Sequence, residues 1–321
     1  MTDEQWMGAA IALGDRARGT TAPNPNVGCV LVRGDVAVGE GATASGGRPH
    51  AEAVALDAAG EAARGATAYV TLEPCAHESR RGPACAPLLV EAGIARLVAA
   101  LGDPDPRTNG RGFALLLEAG IEVSVGEGDT DAARSLAGFL TRQRLGRPHV
   151  TLKLALSIDG KIATGSGESR WITGEEARED AHRERAKADM ILVGRGTLEA
   201  DQPGLDVRIP GLEGRSPRKA VLTTGKAPEG WASVPSPEAI AGLDDVNDLL
   251  VEGGAGAATA FLAADLVDRL IVYRAPILIG EGRAAVGDIG LGSLADAHGR
   301  WTHVQARMLG IDRRDVYERI R

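Results

Sequence analysis

Apolar and polar positions alternate along this chain with two different periods, and the switches between them divide it into short elements. From Asp3 to Arg18 the spacing is helical, with Trp6, Ala10, Leu13 and Ala17 on one face. Val27–Val32 and Val36–Gly39 read as strands, and Arg33-Gly34-Asp35 between them is a hairpin signal. Ala51–Ala59 reads as a helix opening at His50, Ala68–Glu73 as a strand ending at Pro74-Cys75, and Ala86–Ala92 as a helix that follows Cys85 and carries Pro87 in its first turn. A unit then occurs twice: Leu88–Leu97 and Leu115–Val125 each carry Glu-Ala-Gly-Ile. A helix stops at a glycine suited to the position after its last turn (Gly93, Gly120), and a strand follows at once. Helices alternating with strands imply α/β layering on a parallel or mixed sheet.

The basic stretch 141–149 ends in Gly and Pro and is expected to be a linker. It separates a first domain of residues 1–144 from a second of 147–321. The second half opens with a strand at Val150–Leu156. Further strands are expected at Met190–Val193, Lys219–Thr223, Leu249–Val251, Leu270–Tyr273 and Val316–Ile320. Two of them run into glycines: Gly194-Arg195-Gly196-Thr197, and Glu252-Gly253-Gly254-Ala255-Gly256 before an Ala-rich helix. Glycines between a strand and a helix N-terminus let backbone N–H groups approach a phosphate, favoured by the helix dipole. Tight turns alone would use the same residues, and neither segment completes a dinucleotide fingerprint.

Composition narrows the function classes. At 321 residues, 44% of them apolar, the chain can form two cores, and with 3% aromatics these must be packed with aliphatic side chains. Three cysteines form no disulfide framework and suit a reducing cytoplasm. No secretory signal or membrane span is expected. The net charge of −8 argues against a nucleic-acid footprint and favours a small-molecule substrate.

His50-Ala51-Glu52, Pro74-Cys75 and Cys85 supply one imidazole, two thiols and a nearby carboxylate. One His and two Cys fill three tetrahedral positions of a zinc ion and leave the fourth for water, whose pKa the metal lowers to roughly 7. Glu52 is then placed to shuttle protons. The pattern H-x-E followed by P-C-x-x-C marks zinc nucleobase deaminases, although here nine residues separate Cys75 from Cys85. Cys29, inside the first strand, reads as core, and His77 as a loop residue.

Taken whole, the chain resembles the bifunctional deaminase–reductase family of riboflavin biosynthesis. The resemblance rests on Pro23-Asn24-Pro25-Asn26-Val27-Gly28, His50-Ala51-Glu52, Thr71-Leu72-Glu73-Pro74-Cys75 and Gly110-Arg111-Gly112 in the first half. In the second it rests on Lys153, Ser157-Ile158-Asp159-Gly160-Lys161, Trp171-Ile172-Thr173, Gly194-Arg195-Gly196-Thr197, Asp201 with Pro203, and Val251-Glu252-Gly253-Gly254. It implies a three-layer cytidine-deaminase-like domain followed by a dihydrofolate-reductase-like α/β domain. It also implies deamination of a diaminopyrimidinone ribosyl phosphate and NADPH-dependent reduction of the ribosyl group to a ribityl chain, in a cytoplasmic homo-oligomer that engages neither nucleic acid nor membrane. By the same resemblance His50, Cys75 and Cys85 bind Zn2+, Glu52 is the proton shuttle and Asn24 touches the pyrimidine. Ala155, Trp171, Thr197, Asp201, Thr224, Gly253, Gly254 and Gly256 fall on NADPH positions, and Ser169, Arg185, Leu205, Arg208 and Glu252 on reductase substrate positions. Lys161 and Glu252 are left between proton transfer and phosphate or hydroxyl binding.

Three departures stand out. The loop from His77 to Cys85 is one residue longer than the family's, Thr43 replaces a common His, and the stretch from about 224 to 248 is short, as though a strand–helix unit were missing. The rival readings are a monofunctional deaminase with a degenerate second domain, a tRNA-type deaminase, and a non-catalytic zinc module. Metal content and an assay with and without NADPH separate them.

Overall fold

The computed structural model describes residues 1–77 and 81–321, and the chain divides into two compact units, 1–146 and 147–321. The first contains α1 (Asp3–Ala17), β1 (Gly28–Arg33), β2 (Val36–Ala42), α2 (Ala51–Ala59), β3 (Thr67–Val70), α3 (Cys85–Ala92), β4 (Arg96–Ala99), α4 (Arg111–Glu118), β5 (Glu122–Val125), α5 (Asp129–Ser135) and α6 (Ala137–Leu145). Its five strands lie in the order β2-β1-β3-β4-β5. The first three pair antiparallel and the last three parallel. Successive residues of each strand enter opposite cores, as a pleat requires. Cys29 and Leu31, Ala68 and Val70, Leu97 and Ala99 pack with Ala51, Ala55, Leu89 and Leu116, whereas Val30, Tyr69 and Val98 pack with Trp6, Met7, Ala10 and Ala132. Helices therefore cover both faces, giving three layers. Cys29 is fully buried in the core.

Local chemistry sets the helix ends. Thr2 and Gln5 form a reciprocal capping box that starts α1. Gly93 ends α3 in the left-handed conformation at φ 70°. The expected linker is only partly one: 141–145 is the last part of α6, which Gly146 stops at φ 67°.

The second unit contains β6 (His149–Leu156), β7 (Lys161–Thr164), α7 (Glu175–Arg185), β8 (Met190–Gly194), α8 (Arg195–Asp201), β9 (Arg218–Leu222), β10 (Ala232–Val234), β11 (Asp248–Val251), α9 (Ala255–Ala263), β12 (Arg269–Arg274), β13 (Gly282–Ala284), β14 (Trp301–Leu309) and β15 (Asp312–Arg319). Eight strands form one sheet in the order β10-β9-β8-β11-β6-β12-β15-β14, parallel from β10 through β12 and antiparallel thereafter. β7 and β13 form a separate two-stranded ribbon. α9 packs on one face through Ala257, Ala258 and Phe261, and α7 on the other through Ala177 and Ala181. The short stretch from 224 to 248 retains a strand, β10 at the sheet edge, and one short 3-10 helix, Pro237–Gly242. Among the described residues no helix is long and apolar enough to cross a membrane.

Candidate active sites

In the first unit, three segments far apart in sequence meet at the ends of their elements. His50 caps the N-terminus of α2, Cys75 follows β3, and Cys85 opens α3. Two glycines permit the convergence. A Cβ on Gly41 of β2 would stand 2.3 Å from the carbonyl oxygen of Ala51, so only glycine lets β2 seat the start of α2. A Cβ on Gly112 would stand 2.0 Å from the Pro74 carbonyl oxygen beside Cys75.

The donor atoms of His50, Cys75 and Cys85 lie within 4.8 Å of one another. His50 Nδ1 is 3.6 Å from Cys75 Sγ and 3.4 Å from Cys85 Sγ. A tetrahedral ion with Zn–N near 2.0 Å and Zn–S near 2.3 Å separates nitrogen from sulfur by about 3.5 Å, so this donor set fits zinc. The backbone N–H of Cys85 donates to Cys75 Sγ at 3.3 Å. Asn24 Nδ2 lies 3.2 Å from His50 Nε2 and donates to the Gly47 carbonyl. His77 stands outside the group, its Nδ1 3.3 Å from Thr108 Oγ1. Glu78, Ser79 and Arg80 of the longer loop lie outside the described residues.

Glu52 is buried in the first turn of α2, and burial pushes its carboxyl up to about 7. A hydrogen bond from Cys85 brings the Cys75 thiol down to about 4, while the same bond and burial push Cys85 up. Cys75 therefore ionises first. The cavity of about 260 Å³ above these groups is also lined by Asn24, Thr43, Arg48, His77, Arg81, Asp103, Asp105, Arg107, Phe139 and Gln143. Thr43 is buried, its hydroxyl accepting from the Val27 N–H. Burial raises Asp103 to about 6, and Arg107 pairs with Asp105. Glu73 accepts the N–H groups of Asp103, Gly110, Gly112 and Phe113 and so ties the far wall to the segment bearing Cys75.

In the second unit a cavity of about 550 Å³ is lined by Ala155, Ser169, Trp171, Arg185, Thr197, Asp201, Leu205, Arg208, Glu252, Gly253 and Gly254. Thr224 and Gly256 are not on this wall. Thr224 lies exposed beyond β9, two strands away from β11, and Gly256 is exposed on α9. Both glycine segments run from a strand into a helix, α8 after Gly194 and α9 after Gly254. The Gly254 N–H donates to Thr197 Oγ1 at 2.9 Å, joining the two turns, and a Cβ on Gly253 would lie 2.6 Å from that of Ala257. Bare backbone at two helix starts beside a large cavity fits the phosphates of a dinucleotide.

Glu252 sits at the cavity floor. Arg185 donates to both its oxygens at 2.6 and 2.9 Å, and Lys153 Nζ is 3.5 Å away. Burial alone would raise the Glu252 carboxyl, but Lys153 and Arg185 outweigh it and hold the group at about 2. Trp171, 68% exposed, stands at the mouth with the Arg178 guanidinium 4.7 Å from its ring centroid. Lys161 is not on the wall. Its segment forms a turn in which Ser157 Oγ donates to Asp159, whose carboxylate accepts the Ile279 and Gly280 N–H groups. Of α7 the sequence points only to Arg185; Arg178 and the helix itself escape it, because the segment is charged almost throughout and shows no apolar stripe.

Residues 148–311 match the family described as RibD C-terminal domain, and 1–101 match the cytidine and deoxycytidylate deaminase zinc-binding region. The chain is 40% identical to the riboflavin biosynthesis protein RibD of Escherichia coli, covering 92% of this chain and 94% of that one. It is 40% identical to that of Mycobacterium tuberculosis H37Rv, covering 96% and 95%. This chain belongs to the RibD family. Solved RibD-family structures agree. One from Acinetobacter baumannii superimposes with a TM-score of 0.87 at 36% identity, covering 99% of both chains. A diaminohydroxyphosphoribosylaminopyrimidine deaminase/5-amino-6-(5-phosphoribosylamino)uracil reductase from Thermotoga maritima superimposes with 0.89 at 30% identity, again covering 99% of both. As a RibD-family member the chain is a bifunctional enzyme of riboflavin biosynthesis, a deaminase joined to a reductase, with zinc and NADPH as cofactors.

Proposed function

We propose that the first unit deaminates 2,5-diamino-6-(5-phosphoribosylamino)pyrimidin-4-one and that the second reduces the resulting 5-amino-6-(5-phosphoribosylamino)uracil to its ribitylamino product. The observation that carries this reading is the His50, Cys75 and Cys85 donor set beside buried Glu52, in the same chain as a glycine-floored cavity large enough for a dinucleotide. His50, Cys75 and Cys85 hold zinc. When bound, the metal supplies an activated water for attack on the amine-bearing ring carbon. Glu52 would carry one proton from that water to the ring nitrogen, and then a second from the hydroxyl so formed to the amine, which leaves as ammonia when its C–N bond breaks, work suited to a carboxyl held near neutrality. Asn24, against His50, faces the pyrimidine.

In the second unit NADPH supplies a hydride to the anomeric carbon of the opened sugar. Ala155, Trp171, Thr197, Asp201, Gly253 and Gly254 form its bed. Ser169, Arg185, Leu205 and Arg208 face the sugar phosphate, and Glu252 aligns Arg185 and Lys153 as its ion-pair partner. Thr224 and Gly256 receive no contact in this reading. The enzyme works in the cytoplasm, where a reducing environment keeps Cys75 and Cys85 available as ligands.

The test is metal analysis followed by product analysis with and without NADPH. One zinc per chain, a deaminated product without NADPH and a ribityl product only with it are expected. Zinc-loaded protein that deaminates but never oxidises NADPH would establish the degenerate-domain alternative instead.

A further inference from the structure

Two arginines cross at the mouth of the zinc-site cavity. Arg48 belongs to the segment leading to His50, and its Nη1 donates to the Pro83 carbonyl, two residues before Cys85, at 3.1 Å. Arg81 belongs to the segment leading to Cys85, and its Nη2 donates to the Gly46 carbonyl, four residues before His50, at 2.5 Å. Each ligand-bearing segment thus sends a guanidinium across to the backbone of the other, and both side chains line the cavity. The fit is close. A Cβ on Gly82 would stand 3.1 Å from Arg48 Nη1, and Gly82 holds φ at 146°.

The cavity's third arginine, Arg107, is neutralised by Asp105. Arg48 has no carboxylate partner among the described residues, and its one hydrogen bond leaves most of its five donors unspent. A half-buried guanidinium tethered by a single carbonyl is oriented without being neutralised, a state suited to a fork that meets an anion. The carboxylates of the cavity are instead contributed by α2 (Glu52), by the segment after β3 (Glu73) and by the wall that Glu73 secures (Asp103 and Asp105).

We propose that Arg48, with Arg81 beside it, binds the 5′-phosphate of the ribosyl phosphate during deamination and selects phosphorylated over unphosphorylated pyrimidine ribosides. This assignment rests on the function proposed above and adds to it the group that reads the phosphate. The reacting ring lies at the zinc end and the phosphate at the arginine rim, so ring chemistry and phosphate recognition are separated along the cavity. Arg48 is a binding residue and takes no part in the proton transfers.

The experiment compares deamination of the diaminopyrimidinone ribosyl phosphate with that of its dephosphorylated riboside, for the full-length zinc enzyme and for Arg48→Ala and Arg48→Lys. A charge-assisted hydrogen-bonded pair predicts that Arg48→Ala lowers the phosphorylated-to-unphosphorylated ratio of kcat/KM by about 10- to 100-fold, chiefly through KM. Arg48→Lys should recover part of that ratio, as a point charge without the fork. Inorganic phosphate should inhibit riboside deamination by the parent enzyme and do so less in Arg48→Ala. If both substrates lose rate by the same factor and zinc is lost with it, Arg48 is only a strap between the ligand segments and the proposal falls. An unchanged ratio with no phosphate inhibition of the parent also overturns it while leaving the deaminase reading intact. A parent enzyme that deaminates neither compound removes that reading and the proposal together.

Discussion

Glu73→Gln tests how the deaminase site is held together. Glu73 is buried, and its two carboxylate oxygens accept four backbone N–H groups: Asp103 at 3.1 Å and Gly110 at 3.0 Å on one, Gly112 at 2.9 Å and Phe113 at 3.4 Å on the other. The substitution preserves shape and replaces one oxygen with an NH2 group. Either amide orientation leaves two N–H groups facing a donor, without acceptor or compensating charge. Hydrogen bonds to a charged group contribute about 1.5–3 kcal/mol, and a buried donor left unmade costs about 1–3 kcal/mol. Because the four bonds share one carboxylate they will not add fully, and we expect a loss of about 3–5 kcal/mol. That is a large share of the 5–15 kcal/mol that typically stabilises a domain. Hydrogen exchange is the direct assay. The amides of Asp103 and Gly110, or of Gly112 and Phe113, should lose protection. Deamination should fall as the wall carrying Asp103 and Asp105 loosens, while NADPH-dependent reduction by the other unit continues. A loss below about 1 kcal/mol with unchanged exchange at all four amides would refute the reasoning.

The remaining predictions are smaller in reach. Glu52→Gln should keep its zinc yet lose about 10²–10⁴-fold in deamination, since the donor set is untouched and the proton carrier is gone; near-parent turnover in zinc-replete variant contradicts the assignment. Glu252, held at about 2 against an ordinary 4.5, contributes stability that is present above pH 4.5 and lost as pH falls from there toward 2. A shift of that size corresponds to about 3 kcal/mol. Glu252→Gln should therefore lower the melting temperature of the second unit near neutrality and flatten its decline between pH 5 and 3. Parallel melting curves for variant and parent would show that the ion pairs do not carry this stability.

Much of the site was legible because its chemistry is local in sequence. His50 and Glu52 sit two residues apart at a helix start, so one N-cap places both; the glycines of Gly110-Arg111-Gly112, which the sequence offered only as part of the family resemblance, serve a left-handed cap at φ 82° and a close approach to Pro74. Strands buried on both faces, such as β8 and β11, announce themselves as continuous apolar runs. β14 is not legible in the sequence because it is an edge strand, paired on one side only, exposed along most of its length and lacking a regular alternation of apolar and polar positions. The stretch 141–145 reads as a linker by composition but is helix, since α6 buries Phe139 and Leu140 and carries the basic residues outward on its last turns.

The sequence by itself determined the donor types, the two-unit α/β plan and the glycine turns, because hydrophobic period, capping and backbone freedom act over a few residues. Only the tertiary structure decided that Cys75 and Cys85, 25 and 35 residues beyond His50, bring their sulfurs within 3.6 Å of its ring. The same holds for Glu252 meeting Arg185 from 67 residues away, and for Arg48 and Arg81 crossing over the cavity. Such meetings depend on strand order and register, which are settled by contacts across the whole sheet, and no short window of residues carries that information.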